Sequence, residues 1–342
     1  QSPAKAIQIE FQGGEPLLNF PVVKYILEYS AKMAKKHNKE LGYSLVSNLT
    51  LMDDEKLEYL MSVKNFGIAT SFDGPKYVHD KNRIYLNGDG TYDDVVKWIK
   101  KIKSNKKNGT RLNAMPTITK FSLPYAKEIV DEYLRFGFNK TWARSLAKIG
   151  NAQATWDKIG YPAHEFVTFW KEFLEYVLEK NRKGIMFSER MTTIYAKKIT
   201  NKKDPYYSEL QAPCGAAIGQ MVYDYKGDVF PCDESKIYDL FKLGNVTKDT
   251  YSGVHKKPAT KEIVSTTTNL ASLCDACAFS PYCGTCLIET YATQCNLVSK
   301  LPMDRRCMIN KGVLEHLFKK ILFCKEDRKI ISSWLLNNPS AS

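Results

Sequence analysis

The 342-residue sequence predicts an α/β fold followed by a separate cysteine-rich region. Short apolar runs alternate with amphipathic stretches through the first 150 residues or so, the regular pattern breaks into loops beyond Cys214, and all nine cysteines lie beyond residue 210. The length suits about two domains, since single domains run to roughly 100–200 residues.

"AIQIEF" reads as a strand, and "PVVKYILEYSAKMAKK" as a helix with Pro21 at its start, where a missing N–H loses no partner. "GYSLVS" leads into the helix "MDDEKLEYLMSV", "GIATSF" into "YDDVVKWIKKIK", and "RLNAMPTI" into "LPYAKEIVDEYLRFG". Strands without polar alternation, each followed by a helix, predict parallel βα units covered on both faces. In such a sheet or barrel, ligand sites gather at the C-terminal strand ends. Here those ends carry "GGEP", "SNLT" and "SFDGP". Residues 151–210 read as a helical bridge. Beyond it, "GQMVYDYKGDVFPCDE" predicts a hairpin turning at Lys226-Gly227, and one last amphipathic helix, "KGVLEHLFKKILF", closes the domain. The expected division is 1–150, 151–210, 211–325 and a tail over 326–342.

The 44% apolar composition is that of a soluble globular protein. No run of about 18 apolar residues and no secretory leader is present, so a cytoplasmic location is expected, with no membrane partner. The formal charge of +13 comes from Lys scattered along helical faces, which is a solvated surface and not a nucleic-acid stripe. No nucleic-acid partner is expected.

The cysteines fall in the order Cys214-x12-Gly227-x4-Cys232, then Cys274-x2-Cys277-x5-Cys283-x2-Cys286, then Cys307, with Cys295 and Cys324 apart. A disulfide framework suits short secreted chains. Two-residue spacings can also chelate zinc. Many cysteines with no well-placed His fit thiolate-held iron–sulfur clusters better, because His255 is isolated and His316 lies inside the terminal helix.

This cysteine order resembles the SPASM domain, a C-terminal module of radical S-adenosylmethionine (SAM) enzymes that modify peptides and proteins. "GDVFPCDE", "FKLGNV" and "CDACAFSPYCGTC" stand in the family's order, and "GGEPLLNF", "SNLTLM" and "SFDGPKYVHDKNR" resemble its radical SAM half. "DRRCMINKGVLEHLF" and "YCGTC" look most like the maturase of the His-Xaa-Ser peptide system, and the chain is also similar to anaerobic sulfatase-maturating enzymes. The implied fold is a partial (β/α)6 radical SAM barrel lacking its first strand, joined to a cysteine-rich SPASM iron–sulfur domain.

The resemblance implies roles residue by residue. Gly13, Gly14 and Glu15 match the GGE motif that holds the amino group of SAM, where glycines allow close backbone approach and a carboxylate favours an ammonium. Ser47, Asn48, Ser71, Asp73 and Arg83 match the strand ends around SAM's ribose and carboxylate, with Ser71 and Arg83 first among them; Asn48 and Asp73 equally suit helix caps or loop turns. Cys274, Cys277, Cys283 and Cys307 would hold a distal auxiliary [4Fe-4S] cluster, and Cys214, Cys232 and Cys286 a proximal one with an open position, for which Cys295 is a further candidate. Cys324 reads as a core-facing helix residue. Asp233 matches the acid that takes the substrate's proton, though with Glu234 it also suits a turn cap. The implied partners are a peptide or protein substrate and an electron donor such as ferredoxin or flavodoxin.

In the family, Cys-x3-Cys-x2-Cys upstream of GGE holds the SAM-binding cluster. No such triplet occurs in these 342 residues. The chain is therefore expected to be an N-terminally truncated fragment of a maturase, inactive alone.

Overall fold

Four parallel strands frame the N-terminal part of the chain: β1 (Ala6–Phe11), β2 (Glu40–Ser47), β3 (Gly67–Ser71) and β4 (Arg111–Met115), hydrogen-bonded in the order β1-β2-β3-β4. The computed structural model describes residues 2–105, 111–201, 207–267, 272–300, 302 and 304–336. It divides into two units, Ser2–Arg144 and Ser145–Ser342.

In the first unit the strands are linked by α1 (Phe20–His37), α2 (Asp54–Ser62), α3 (Lys76–Asn82) and α4 (Tyr92–Ser104), with α5 (Ala126–Arg135) following β4. Local chemistry sets these limits. Pro21 lies in the first turn of α1, and Asn38 ends that helix in the left-handed conformation with its N–H bonded to the Ala34 carbonyl. Asp53 caps α2 by accepting from the Lys56 N–H at 2.8 Å.

The strands depart from the expected burial on both faces. Leu45, Ile68 and Ala114 are buried, yet in β1 exposed Gln8 and Glu10 alternate with half-buried Ile7 and Ile9. Ser44 on β2 accepts from Gln8 Nε2 at 3.1 Å and donates to Glu10 at 2.8 Å. At β1 and β2 the sheet therefore presents polar side chains on one of its faces, as a sheet solvated on that side does.

Beneath the C-terminal strand ends sits an aromatic core. The Phe72 ring lies 5.8, 5.9, 5.5 and 5.6 Å from His79, Tyr92, Tyr133 and Phe136. Tyr133 Oη donates to the Phe72 carbonyl at 2.5 Å.

In the second unit, helices Ala163–Arg182, Arg190–Asn201, Arg305–Phe323 and Lys325–Leu336 bury Trp170, Phe173, Leu174, Tyr195, Leu314, Leu317 and Trp334. Gly312 marks a close crossing: a Cβ there would stand 2.7 Å from Val167 Cγ1. Two helices close the chain instead of one, so residues 325–336 are not an extended tail, and Cys324 is the C-cap of the first of them and not a helix-interior residue. The predicted hairpin forms: strands 222–223 and 228–230 pair antiparallel with Gly227 at φ +78°, and 244–245 adds a third strand. Among the described residues no helix is long and apolar enough to cross a membrane.

His79 provides a stability test for the first unit. It is fully buried, its Nδ1 accepts from the Asp73 N–H at 3.2 Å, and its Nε2 meets Thr91 Oγ1 at 3.1 Å. Burial pushes its pKa down to about 4, with Asp73 opposing. The unfolded imidazole titrates near ~6.5, so the unfolded chain takes up the proton first as pH falls. Its contribution to stability is complete above that value and is lost as pH drops from about 6.5 to about 4. Denaturant unfolding across this window should reveal a loss of ~3 kcal/mol in the native chain that His79→Gln lacks.

Candidate functional site

At the end of β1 the chain turns through Gly13 and Gly14 before Glu15. Gly13 has φ +150°, a conformation that side chains rarely adopt, and a Cβ at either glycine would meet nothing within 4 Å. The backbone there is open to close approach. Glu15 is held on three sides. Its Oε1 accepts from Leu17 N at 3.1 Å and Ser47 Oγ at 2.8 Å, and its Oε2 accepts from Asn48 N at 2.9 Å. The carboxylate thus clasps the ends of β1 and β2, leaving lone pairs for a further donor. Three of the predicted residues therefore converge. Asn48 also shapes its own turn, its Oδ1 accepting from Thr50 N at 3.0 Å and Thr50 Oγ1 at 2.7 Å.

After β3 a second knot forms. Asp73 is fully buried and takes Arg83 in a two-pronged pair, Nε to Oδ2 at 2.8 Å and Nη2 to Oδ1 at 3.2 Å. Its Oδ1 also accepts from Thr117 N at 2.8 Å, while Arg83 Nη2 donates to Thr117 Oγ1 at 3.0 Å. Arg83, expected to face a ligand carboxylate, points to Asp73. Ser71 closes β3 two residues before it. Sequence reasoning missed His79 and Thr117. His79 lies inside the quoted "SFDGPKYVHDKNR", six residues after Asp73 and next to Val78, and a histidine in that helix close behind Asp73 was the available signal.

In the second unit, Cys274, Cys277, Cys283 and Cys307 line one cavity of about 40 Å³, with Arg306, Asn310 and Lys311. Cys307 is in the first turn of its helix, where Asp304 caps its N–H at 2.9 Å. Cys283 Sγ accepts from Asn310 Nδ2 at 3.2 Å. Burial raises the Cys274 thiol, and the neighbouring Cys307 and Cys277 raise it further.

The other three lie together elsewhere. Cys232 is buried in a cluster with Val229, Phe230, Phe241 and Ile288, and Cys214 and Cys286 pack against the same cluster. Burial, then Glu234 and Cys286, pushes the Cys232 thiol well up, and burial brings Cys286 to about 12. Cys286 is also the N-cap of helix Leu287–Gln294, its sulfur accepting from Glu289 N at 3.5 Å. Cys295 is exposed at the left-handed C-cap of that helix and lines neither group. None of the nine cysteines is joined to another by a disulfide.

Asp233 follows Cys232 at the head of a short 3-10 turn, Glu234–Ile237. Its side chain makes no capping bond and instead pairs with Lys236 at 2.5 Å, 40% exposed. His255 stacks edge-on to Tyr251, and His316 meets Glu175 at 3.1 Å. Neither joins the cysteines.

The donor sets suit their expected occupants. An open glycine backbone beside a fixed carboxylate fits the ammonium end of SAM. Four thiols around one cavity, with Arg306, Lys311 and Asn310 on its walls and the single carboxylate, Asp304, engaged with the Cys307 N–H, fit an anionic iron–sulfur cluster. Among the described residues, no three His, Cys, Asp or Glu side chains converge closely enough to grip a single metal ion. Zinc at sulfur distances of about 2.3 Å would need such convergence.

A parallel α/β sheet with an open glycine corner, followed by a hairpin and loop unit that gathers cysteines, defines a class of SAM-dependent iron–sulfur proteins. Residues 4–133 match the Radical SAM superfamily, and residues 214–278 match SPASM, an iron–sulfur cluster-binding domain. The chain thus carries a radical SAM region followed along the sequence by a SPASM region. The cysteine-type anaerobic sulfatase-maturating enzyme of Clostridium perfringens (strain 13 / Type A) is 23% identical over 315 residues, 91% of this chain and 81% of that protein. Its counterpart in Clostridium novyi (strain NT) is 23% identical over 278 residues, 80% and 71% of the two chains. The solved structure of native anSMEcpe with bound AdoMet and Cp18Cys peptide matches with a TM-score of 0.79 at 20% identity, covering 97% of this chain and 87% of that one.

After anaerobic reconstitution, Cys283→Ser should remove roughly half of the bound iron and sulfide, as expected where each cluster uses up to four thiolates. Cys295→Ser should leave both unchanged. Colorimetric iron and sulfide determination checks the pair.

Proposed function

We propose that the chain supplies the SAM- and peptide-handling residues of a radical SAM maturase that abstracts a hydrogen atom from a peptide or protein substrate. The observation that carries this reading is the clasp of Glu15 by Ser47 and Asn48 beside the open Gly13-Gly14 backbone. When bound to a reduced cluster, SAM supplies a 5′-deoxyadenosyl radical as the hydrogen abstractor. The chain's own residues do the rest. Glu15 holds the ammonium of SAM, the Gly13-Gly14 backbone lets it approach, and Ser47 and Asn48 fix the carboxylate. Ser71, Asp73 and Arg83 build the neighbouring wall, with Arg83 oriented by Asp73.

Cys274, Cys277, Cys283 and Cys307 hold one auxiliary [4Fe-4S] cluster, and Cys214, Cys232 and Cys286 a second. Asp233 receives the substrate's proton after hydrogen abstraction; for this, its carboxylate must exchange Lys236 for the substrate. Ferredoxin or flavodoxin delivers the electrons in the cytoplasm.

The preferred substrate is a small ribosomal peptide of the His-Xaa-Ser kind, supported by "DRRCMINKGVLEHLF" and "YCGTC". A second reading, oxidation of a sulfatase cysteine or serine to formylglycine, is favoured by the identity of the relatives. A gene for a small His-rich peptide beside this one supports the first, and a sulfatase gene there supports the second.

Three measurements test the reading. Titration calorimetry should detect SAM binding that Glu15→Ala weakens roughly tenfold or more, the loss of a charge-assisted hydrogen bond. The reconstituted chain should carry about eight irons, two clusters of four. Since its nine cysteines include no Cys-x3-Cys-x2-Cys, it should form no 5′-deoxyadenosine from SAM and dithionite. Zinc in place of iron, or SAM binding indifferent to Glu15, would overturn the proposal.

A further inference from the structure

In the second unit an open groove of about 790 Å³ lies at the start of helix Ala163–Arg182. Lys148, Lys171 and Arg305 line it, against a single carboxylate, Asp157. Apolar surface between the charges comes from Pro162, Val167 and Met308. Trp156 forms part of the wall, and it is the one tryptophan of the five that is not buried. Its indole is closely held. A Cβ at Gly160 would stand 2.4 Å from the ring, while the Arg305 guanidinium and the Lys148 ammonium lie 5.0 and 5.5 Å from it.

The positive charge of this groove is only partly answered from within the protein. Glu289 stands 3.6 Å from Arg305 but equally near Arg306, so two cations share it. Glu315, the carboxylate on which Lys171 acts, is paired with Lys319 at 2.6 Å. Among the described residues Lys148 has no ion-pair partner. The helix adds the positive end of its dipole: Pro162 at the N-cap makes no side-chain bond, and Glu165 of the first turn does not line the groove. Spacing then sets the shape of the ligand. Lys171 lies about 12 Å along the axis from Ala163 at ~1.5 Å per residue, further than one carboxylate or phosphate spans but matched by about four residues of extended peptide. Arg305, Met308 and Gly312 share one side of their helix, roughly opposite Cys307 and Lys311 at about 100° per residue, so the groove is separate from the cysteine cavity.

We propose that the groove docks an acidic segment of a peptide, with carboxylates on Lys148 and Lys171 in the field of Arg305 and apolar side chains on Trp156, Val167 and Met308. The choice of a peptide as occupant rests on the reading of the chain as peptide-handling. Because the groove lies apart from both the cysteine cavity and the Glu15 corner, it retains the peptide and performs no chemistry on it. Charge complementarity of this kind selects the partner and speeds encounter, and it weakens as salt screens it. A segment that alternates acidic and apolar residues satisfies both features of the groove.

The test uses the full chain and a peptide of alternating Glu and Leu, with affinity read by anisotropy of its dye-labelled form and contact with Trp156 read by tryptophan emission. The peptide should bind and change the emission, Trp156→Phe should remove that change, and a Gln-for-Glu peptide should bind at least about tenfold more weakly. Lys148→Glu and Lys171→Glu should each weaken binding about tenfold. Lys35→Glu, which alters net charge equally on the exposed side of α1, should leave it within about twofold. Absence of binding, equal binding of the Gln peptide, or an equal loss in Lys35→Glu overturns the docking site. Displacement of the peptide by inorganic phosphate or ATP at matched ionic strength also overturns it, since the groove would then be a phosphate site. Titration with SAM separates the two readings. A chain that binds SAM but no acidic peptide loses the docking site alone, whereas one that binds the peptide but no SAM keeps the docking site and loses the radical SAM assignment.

Discussion

The clasp on Glu15 is the interaction from which the first unit's site is built. One carboxylate accepts three donors, two from the end of β2 and one from the turn between β1 and α1. Hydrogen bonds to a charged acceptor are worth about 1.5–3 kcal/mol each. They fix the direction of the Gly13-Gly14 backbone, which has no side chain of its own to anchor it. Without them the corner would be an ordinary flexible glycine turn. The Asp73 knot repeats the device one strand further along, where a fully buried anion is matched by Arg83 and a backbone N–H, as burial of a charge demands.

The cysteine unit obeys the same requirement with the signs arranged differently. Its thiols are pushed up by burial, so each anionic ligand form needs compensation from nearby. Arg306, Lys311 and Asn310 supply it from the first two turns of a single helix. That helix carries Cys307 as well, so ligand and compensating charges move as one rigid element.

Much of this was legible in the sequence because it depends on local signals. The βα alternation, Pro21 opening α1 and the Lys226-Gly227 hairpin follow from spacing or turn chemistry, whereas the grouping of Cys274, Cys277 and Cys283 with Cys307 came from the family resemblance. The polar face of β1 was missed because "AIQIEF" was taken as an apolar run, although Gln8 and Glu10 mark its period-two alternation. The helix Lys325–Leu336 was missed because 326–342 was read as a tail, although Glu326 and Asp327 supply the acidic first turn of a helix start. The Arg83–Asp73 pair was hidden for another reason: it is a side-chain choice among several partners, which spacing does not encode.

The crossing at Gly312 gives this arrangement an unexpected point of vulnerability. Five residues beyond Cys307, the helix lies so near Val167 that a single methyl group would meet it at 2.7 Å. A well-packed helix pair cannot absorb such an intrusion by local rearrangement alone. It yields by translation, which would carry the Cys307 sulfur, Arg306 and Asn310 away from their partners together. A position with no sulfur, charge or polar atom of its own thereby acts as the alignment stop of the metal-binding end, and conservative surface-like changes there would be read at the cysteines.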